Sequence, residues 1–68
     1  MIEWTFPVVT KAKPNWTWVK VLSEHGNKWQ VVTEYRKTLE ESGDSLVGCD
    51  MSQAYAFHVG SDGSLTRM

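Results

Sequence analysis

Residues Asn15–Lys37 read NWTWVKVLSEHGNKWQVVTEYRK. Two runs rich in Val, Trp, Thr and Tyr flank Gly26-Asn27, the composition of a β-hairpin whose two-residue turn holds glycine in the left-handed conformation. That loop sets Leu22 opposite Val31, Lys20 opposite Thr33 and Trp18 opposite Tyr35. Side chains alternate across a strand, so Trp16, Trp18, Leu22, Trp29, Val31 and Tyr35 then share one face, with Lys20 among them. A three-residue loop would slip the register by one and put Trp18 opposite Glu34. The register that keeps the large apolar groups together is the expected one.

Outward from this hairpin, Ile2–Thr10 is β-like, with Trp4, Phe6 and Val8 alternating against Glu3 and Thr5. Pro7 donates no ladder hydrogen bond, which predicts an edge strand or one broken at that point. Lys11–Asn15 is a polar connection. Asn15-Trp16-Thr17 matches a glycosylation acceptor, a coincidental match in a chain expected to remain in the cytoplasm.

Beyond Lys37, Thr38 and Glu41 have the spacing of a capping box and Gly43 that of a helix stop, enough for one helical turn; Ser42-Gly43-Asp44 serves equally as a turn between strands. Ser45–Cys49 predicts a short strand with a bulge or close backbone approach at Gly48. Residues 50–59 admit two readings. Asp50 could cap a helix with Met51, Ala54, Tyr55 and His58 on one stripe. Alternatively Tyr55, Phe57 and Val59 alternate along a strand, and a turn with Gly63 at a bulge position pairs Val59 with Leu65. The strand is preferred, because Tyr, Phe, His and Val favour strands over helices.

A chain of 68 residues has the length of one small domain, which buries only about 60% of its unfolded surface on folding. Four tryptophans, two tyrosines and two phenylalanines are the means of building a core at that size. The expected fold is therefore all-β: a five- or six-stranded antiparallel meander, barrel-like or strongly twisted. The alternative is α+β, a four-stranded sheet with one C-terminal helix. The opening residues lack a basic segment followed by an apolar run, and no stretch approaches a membrane span, so a cytoplasmic protein without a membrane partner is expected.

The charge is nearly balanced overall but unevenly distributed. Lys11, Lys13, Lys20, Lys28, Arg36 and Lys37 outnumber Glu3, Glu24 and Glu34 in residues 1–38, whereas Arg67 alone faces Glu40, Glu41, Asp44, Asp50 and Asp62 in the remainder. Catalytic chemistry finds no constellation. Cys49 is the only cysteine, has no local nucleophile signature, and reads as a small core residue. Ser61 lies in a turn and not in a Gly-x-Ser-x-Gly elbow. Glu40 and Glu41 are adjacent on a solvated segment that cannot shift a carboxyl toward acid–base work. His25 and His58 form no metal-ligand spacing, Asp62-Gly63 lacks the ladder of a calcium loop, and the five glycines are scattered, so no metal or cofactor is expected.

What remains is an aromatic face with cations around it. Trp16, Trp18, Lys20, Trp29 and Tyr35, with Lys13 and Arg36 at its margins, form the candidate binding set. For most of these rings core is the preferred reading, since a small barrel has nothing else to fill it. Lys20 cannot be buried there without a partner, so the end near Trp16 and Trp18 is the open one. The functional expectation is a non-enzymatic protein-interaction module, including a small inhibitor or regulator that occupies a partner's surface. Trp and Tyr dominate such interfaces. The second reading is a single-stranded nucleic-acid binder that stacks bases on the rings, opposed by the lack of a basic surplus. An exposed edge at Ile2–Thr10 would also permit pairing with a second copy.

Overall fold

Ile2–Thr10 forms strand β1, and it is the centre of the molecule, not its edge. In the computed structural model, which describes residues 1–68, β1 pairs antiparallel with β2 (Thr17–Ser23) along one side. Its other side is shared by β4 (Tyr55–Val59), beside Ile2–Thr5, and β3 (Leu46–Cys49), beside Val8–Thr10. The last strand, β5 (Leu65–Arg67), extends the sheet beyond β4. Pro7 is accommodated because its edge of β1 faces the gap between β4 and β3, where no ladder donor is required. Its carbonyl instead accepts the Asp50 N–H at 3.1 Å, which pins a single 3₁₀ turn, Met51–Gln53, across the gap.

The second half of the expected hairpin is a helix. Residues Lys28–Glu41 form α1, so the architecture is a five-stranded antiparallel open sheet with one helix. This is α+β and not an all-β barrel, and the helix is central in the chain and not C-terminal. Three local features explain the reversal. Gly26 lacks the left-handed backbone the tight turn requires; only Gly43 and Gly63 have positive φ. Asn27 instead caps the helix, its side-chain oxygen accepting the Trp29 N–H at 2.9 Å. The hydroxyls of Thr33 and Thr38 donate to the carbonyls of Trp29 and Glu34 one turn earlier, so these β-favouring residues are satisfied within a helix.

Tertiary contact then decides. Val31, Tyr35 and Leu39 recur every fourth residue and turn toward the sheet, with Val31 and Val32 buried. Val31 and Tyr35 meet Ile2, Trp4, Phe6 and Val8, the inward side of β1, with Val19 and Val21 of β2 and Ala56 of β4 packed around. Phe6 is fully buried and contacts Tyr35 edge to face, ring centroids 5.7 Å apart. The cross-strand partner expected for Tyr35, Trp18, lies on the opposite face of the sheet.

The connections are tied by side chains. Glu34 accepts from Ser23 Oγ at 3.3 Å and pairs with His25 Nε2 at 3.2 Å, fastening the end of β2 to α1. At the other end Gly43 (φ 79°) follows the helix; its N–H reaches the Glu40 carbonyl and the Asp44 N–H reaches that of Leu39, a Schellman closure. Gly43 is thus the expected stop, though of a 14-residue helix and not of one turn. The strand reading of the C-terminal stretch matches the structure: Val59 faces Leu65 and Gly63 has φ 85° in the turn. Pairing between β1 and β3 is irregular beside Gly48, where the sequence placed a bulge. No helix is long and apolar enough to cross a membrane.

Candidate uncovered aromatic face

The site begins with the alternation of β2. Its inward residues are Val19, Val21 and Ser23; Trp18, Lys20 and Leu22 point to the side that α1 does not cover. Register places their neighbours. Trp18 lies opposite Pro7, Lys20 opposite Thr5 and Leu22 opposite Glu3, and on the far side of β1 these residues adjoin Tyr55 and Phe57 of β4. Arg67 and Leu65 of β5 complete the face beside Phe57 and Val59.

Trp18 and Tyr55 stack across β1 with centroids 6.1 Å apart and an interplanar angle of 29°. The Arg67 guanidinium sits 4.8 Å from the Tyr55 ring centroid, close enough for a cation–π contact. The result is a short ladder of Trp18, Tyr55 and Arg67. Around it Trp18, Leu22, Tyr55 and Leu65 are at least two-fifths exposed, and Phe57 and Val59 are half-buried. Pro7, Trp18, Tyr55, Phe57, Val59 and Leu65 form an apolar patch, with Lys20, Thr5 and Glu3 setting Leu22 apart from it; patches of this kind are what interaction surfaces present to solvent.

One end of the face is concave. Pro7, Trp16, Trp18, Asp50 and Gln53 line an open cavity of about 330 Å³. Asp50 is fixed there: its carboxylate accepts from the Ser52 hydroxyl, from Gln53 Nε2 at 2.7 Å and from the Ser52 N–H at 3.1 Å. The side-chain hydrogen bonds from Ser52 and Gln53 hold the Asp50 carboxyl below its ordinary range.

The residues singled out from the sequence therefore separate into groups. Trp16, Trp18 and Lys20 are exposed together on or beside the uncovered face. Trp29 is on the first turn of α1, 77% exposed, beside His25, Gln30, Thr33 and Glu34 in the opposite layer. Arg36 is exposed on the same helix. Tyr35 is half-buried, packed under the helix against the core; burial, followed by the Asp44 carboxylate, raises its phenol above the ordinary value. Lys13 lies at a crevice of about 210 Å³ between α1 and the inward sides of β1 and β2, lined also by Val8, Val19, Tyr35, Leu39 and Asp44. Trp29, Tyr35, Lys13 and Arg36 thus do not join the face, because the strand assumed to carry three of them is a helix.

Tyr55, Phe57, Leu65, Arg67, Asp50 and Gln53 are the members that sequence reasoning left out of the site. Their own alternation was visible in Tyr55, Phe57 and Val59, but only the pairing of β1 with β4 sets them beside Trp18. Comparison with family models, curated proteins and solved structures gave no match to this chain.

Proposed function

We propose that this chain is a non-enzymatic protein-interaction module that docks through the uncovered face of its sheet, acting on its partner by occupying the partner's surface. The observation that carries this reading is the composition of that face: Trp18, Tyr55, Phe57 and Leu65 lie on neighbouring parts of the sheet with no helix over them, and Leu22 shares the face beyond Lys20 and Glu3. Rigid aromatic rings held on strands lose little side-chain entropy when covered, which is why they anchor interfaces. The ionisable groups displaced from their ordinary values fit the same reading. Asp44, Asp50 and Asp62 are held low by hydrogen bonds in surface turns and Tyr35 is raised by burial. None of these displacements brings a group toward the neutral range where general acids and bases operate.

A second reading, single-stranded nucleic-acid binding, draws on the Trp18–Tyr55 stack with Arg67 and Lys20 beside it. It is the weaker because Glu3 lies within the face and Asp50 at its end, both repelling phosphates. The test uses the intact chain as bait. Partner capture that is lost in Trp18→Ala and in Tyr55→Ala, and retained in Trp29→Ala on the far layer, supports the module. Capture indifferent to both face substitutions refutes it.

A further inference from the structure

The cavity at the end of the face combines features that a flat apolar patch lacks. Trp16 and Trp18 stand two residues apart, 62% and 51% exposed, and line the cavity together with Pro7. Asp50, whose backbone N–H is anchored on the Pro7 carbonyl, brings a carboxylate to the same cavity. That carboxylate is oriented in advance by Ser52 and Gln53 and stays anionic at neutral pH. Indole faces are the strongest aromatic partners of cations, and a fixed anion beside them adds attraction without reorganisation.

We propose that this cavity receives an arginine side chain, its guanidinium set against Trp16 and Trp18 and facing Asp50, presented by the protein that docks on the uncovered face. The inference rests on the docking reading above and names the chemistry of the partner. Two features favour a cation over a neutral polar group. Three hydrogen bonds occupy part of the Asp50 carboxylate, whose roughly four acceptor sites leave room for a further donor, and its negative charge favours a cationic one. The chain also shows this pairing in itself, since Arg67 packs on Tyr55 and Tyr55 on Trp18. A guanidinium, planar and weakly hydrated, suits stacking better than an ammonium.

The experiment is a titration of the full chain at low salt with N-acetyl-arginine methylamide and, separately, with its uncharged isostere N-acetyl-citrulline methylamide, read by the indole N–H resonances in a ¹H–¹⁵N spectrum. The expected result is movement of the Trp16 and Trp18 signals with arginine only, with Trp4 and Trp29 as fixed internal references. Asp50→Asn should weaken the arginine response by about fivefold, the scale of an exposed charge pair. It should leave the dispersed spectrum of the folded chain intact. An equal response to citrulline, or an Asp50→Asn variant that binds arginine as well as the parent, overturns the proposal. An oligothymidine that moves Trp18 where arginine does not overturns it in favour of nucleic acid. The two readings fail separately, because partner capture in Trp18→Ala and Tyr55→Ala tests the face, whereas the small probes test the cavity alone.

Discussion

Replacing each tryptophan by alanine in turn separates core from surface in one series. Trp4 is 4% exposed and donates from Nε1 to the His25 carbonyl at 3.1 Å. Its truncation opens a cavity under α1 and removes that hydrogen bond, a loss of about 3–5 kcal/mol from packing and about 1 kcal/mol from the unpaired carbonyl. A chain of 68 residues has a total stability on the order of 3–10 kcal/mol, so Trp4→Ala should lose a large fraction of it, and all of it at the lower end of that range. Trp18 is half exposed and loses mainly its stack on Tyr55, about 0.5–1.5 kcal/mol. Trp29, projecting from the first turn of α1, should change stability by no more than about 0.5 kcal/mol. Urea denaturation followed by far-ultraviolet circular dichroism is the appropriate assay, because its transition midpoint follows the backbone and not tryptophan emission. A Trp18→Ala variant as destabilised as Trp4→Ala would show that the face is covered in the folded monomer and would refute the assignment of the two sides of the sheet.

Three further substitutions probe the features that make residues 28–41 helical and close the fold. Asn27→Ala removes the cap on Trp29 N–H and should cost about 1 kcal/mol, measured as a lower urea midpoint with unchanged slope. Gly43→Ala forces a side chain into a backbone with φ 79° and should cost about 1 kcal/mol in the same assay. Asp44 tests acid stability. The N–H groups of Ser45 and Ala12 bond its carboxylate and hold it below the ordinary range. Its folded pKa is depressed, so the stability it contributes is fully present above the unfolded value, about 3.9, and is lost as pH falls through the folded value. Asp44→Ala should therefore be less stable at neutral pH and lose less on acidification below pH of about 4 than the parent, with Asp50 and Asp62, also held low, supplying the remaining decline.

What could be read from the sequence was what local chemistry decides. The inward alternation of Trp4, Phe6 and Val8 is visible in β1 itself, and the Val59–Leu65 hairpin is visible because Gly63 supplies its own turn conformation. Trp16, Trp18 and Lys20 were legible as a surface because β2 alternates as written. Residues 28–41 were not, because Trp29, Val31, Val32, Thr33 and Tyr35 all favour strands and competed with a weaker signal. That signal was Asn27 as a cap, Val31, Tyr35 and Leu39 at four-residue spacing, and Gly43 as the stop. Packing on β1 settles the competition, and propensity yields to it. Pro7 misled for a related reason: a missing donor marks an edge only if a neighbour would have used it, and here it faces a gap bridged by the Asp50 turn.

The uncovered face follows from the geometry of the chain, but its composition does not. A helix of 14 residues is about 21 Å long and covers one side of part of a sheet whose five strands stand about 4.8 Å apart. The other side must meet water or a partner. Threonine, lysine and glutamate would suffice for water, as Thr5, Lys20 and Glu3 on β1 and β2 illustrate. Trp18, Leu22, Tyr55 and Leu65 realise only part of their burial on folding, since two-fifths to three-fifths of each still meets water. Strand β1 thus divides two kinds of energy. Ile2, Trp4, Phe6 and Val8 on its inward side hold the fold together, whereas the rings flanking Thr5 and Pro7 on its outward side keep apolar surface that the fold itself leaves in water.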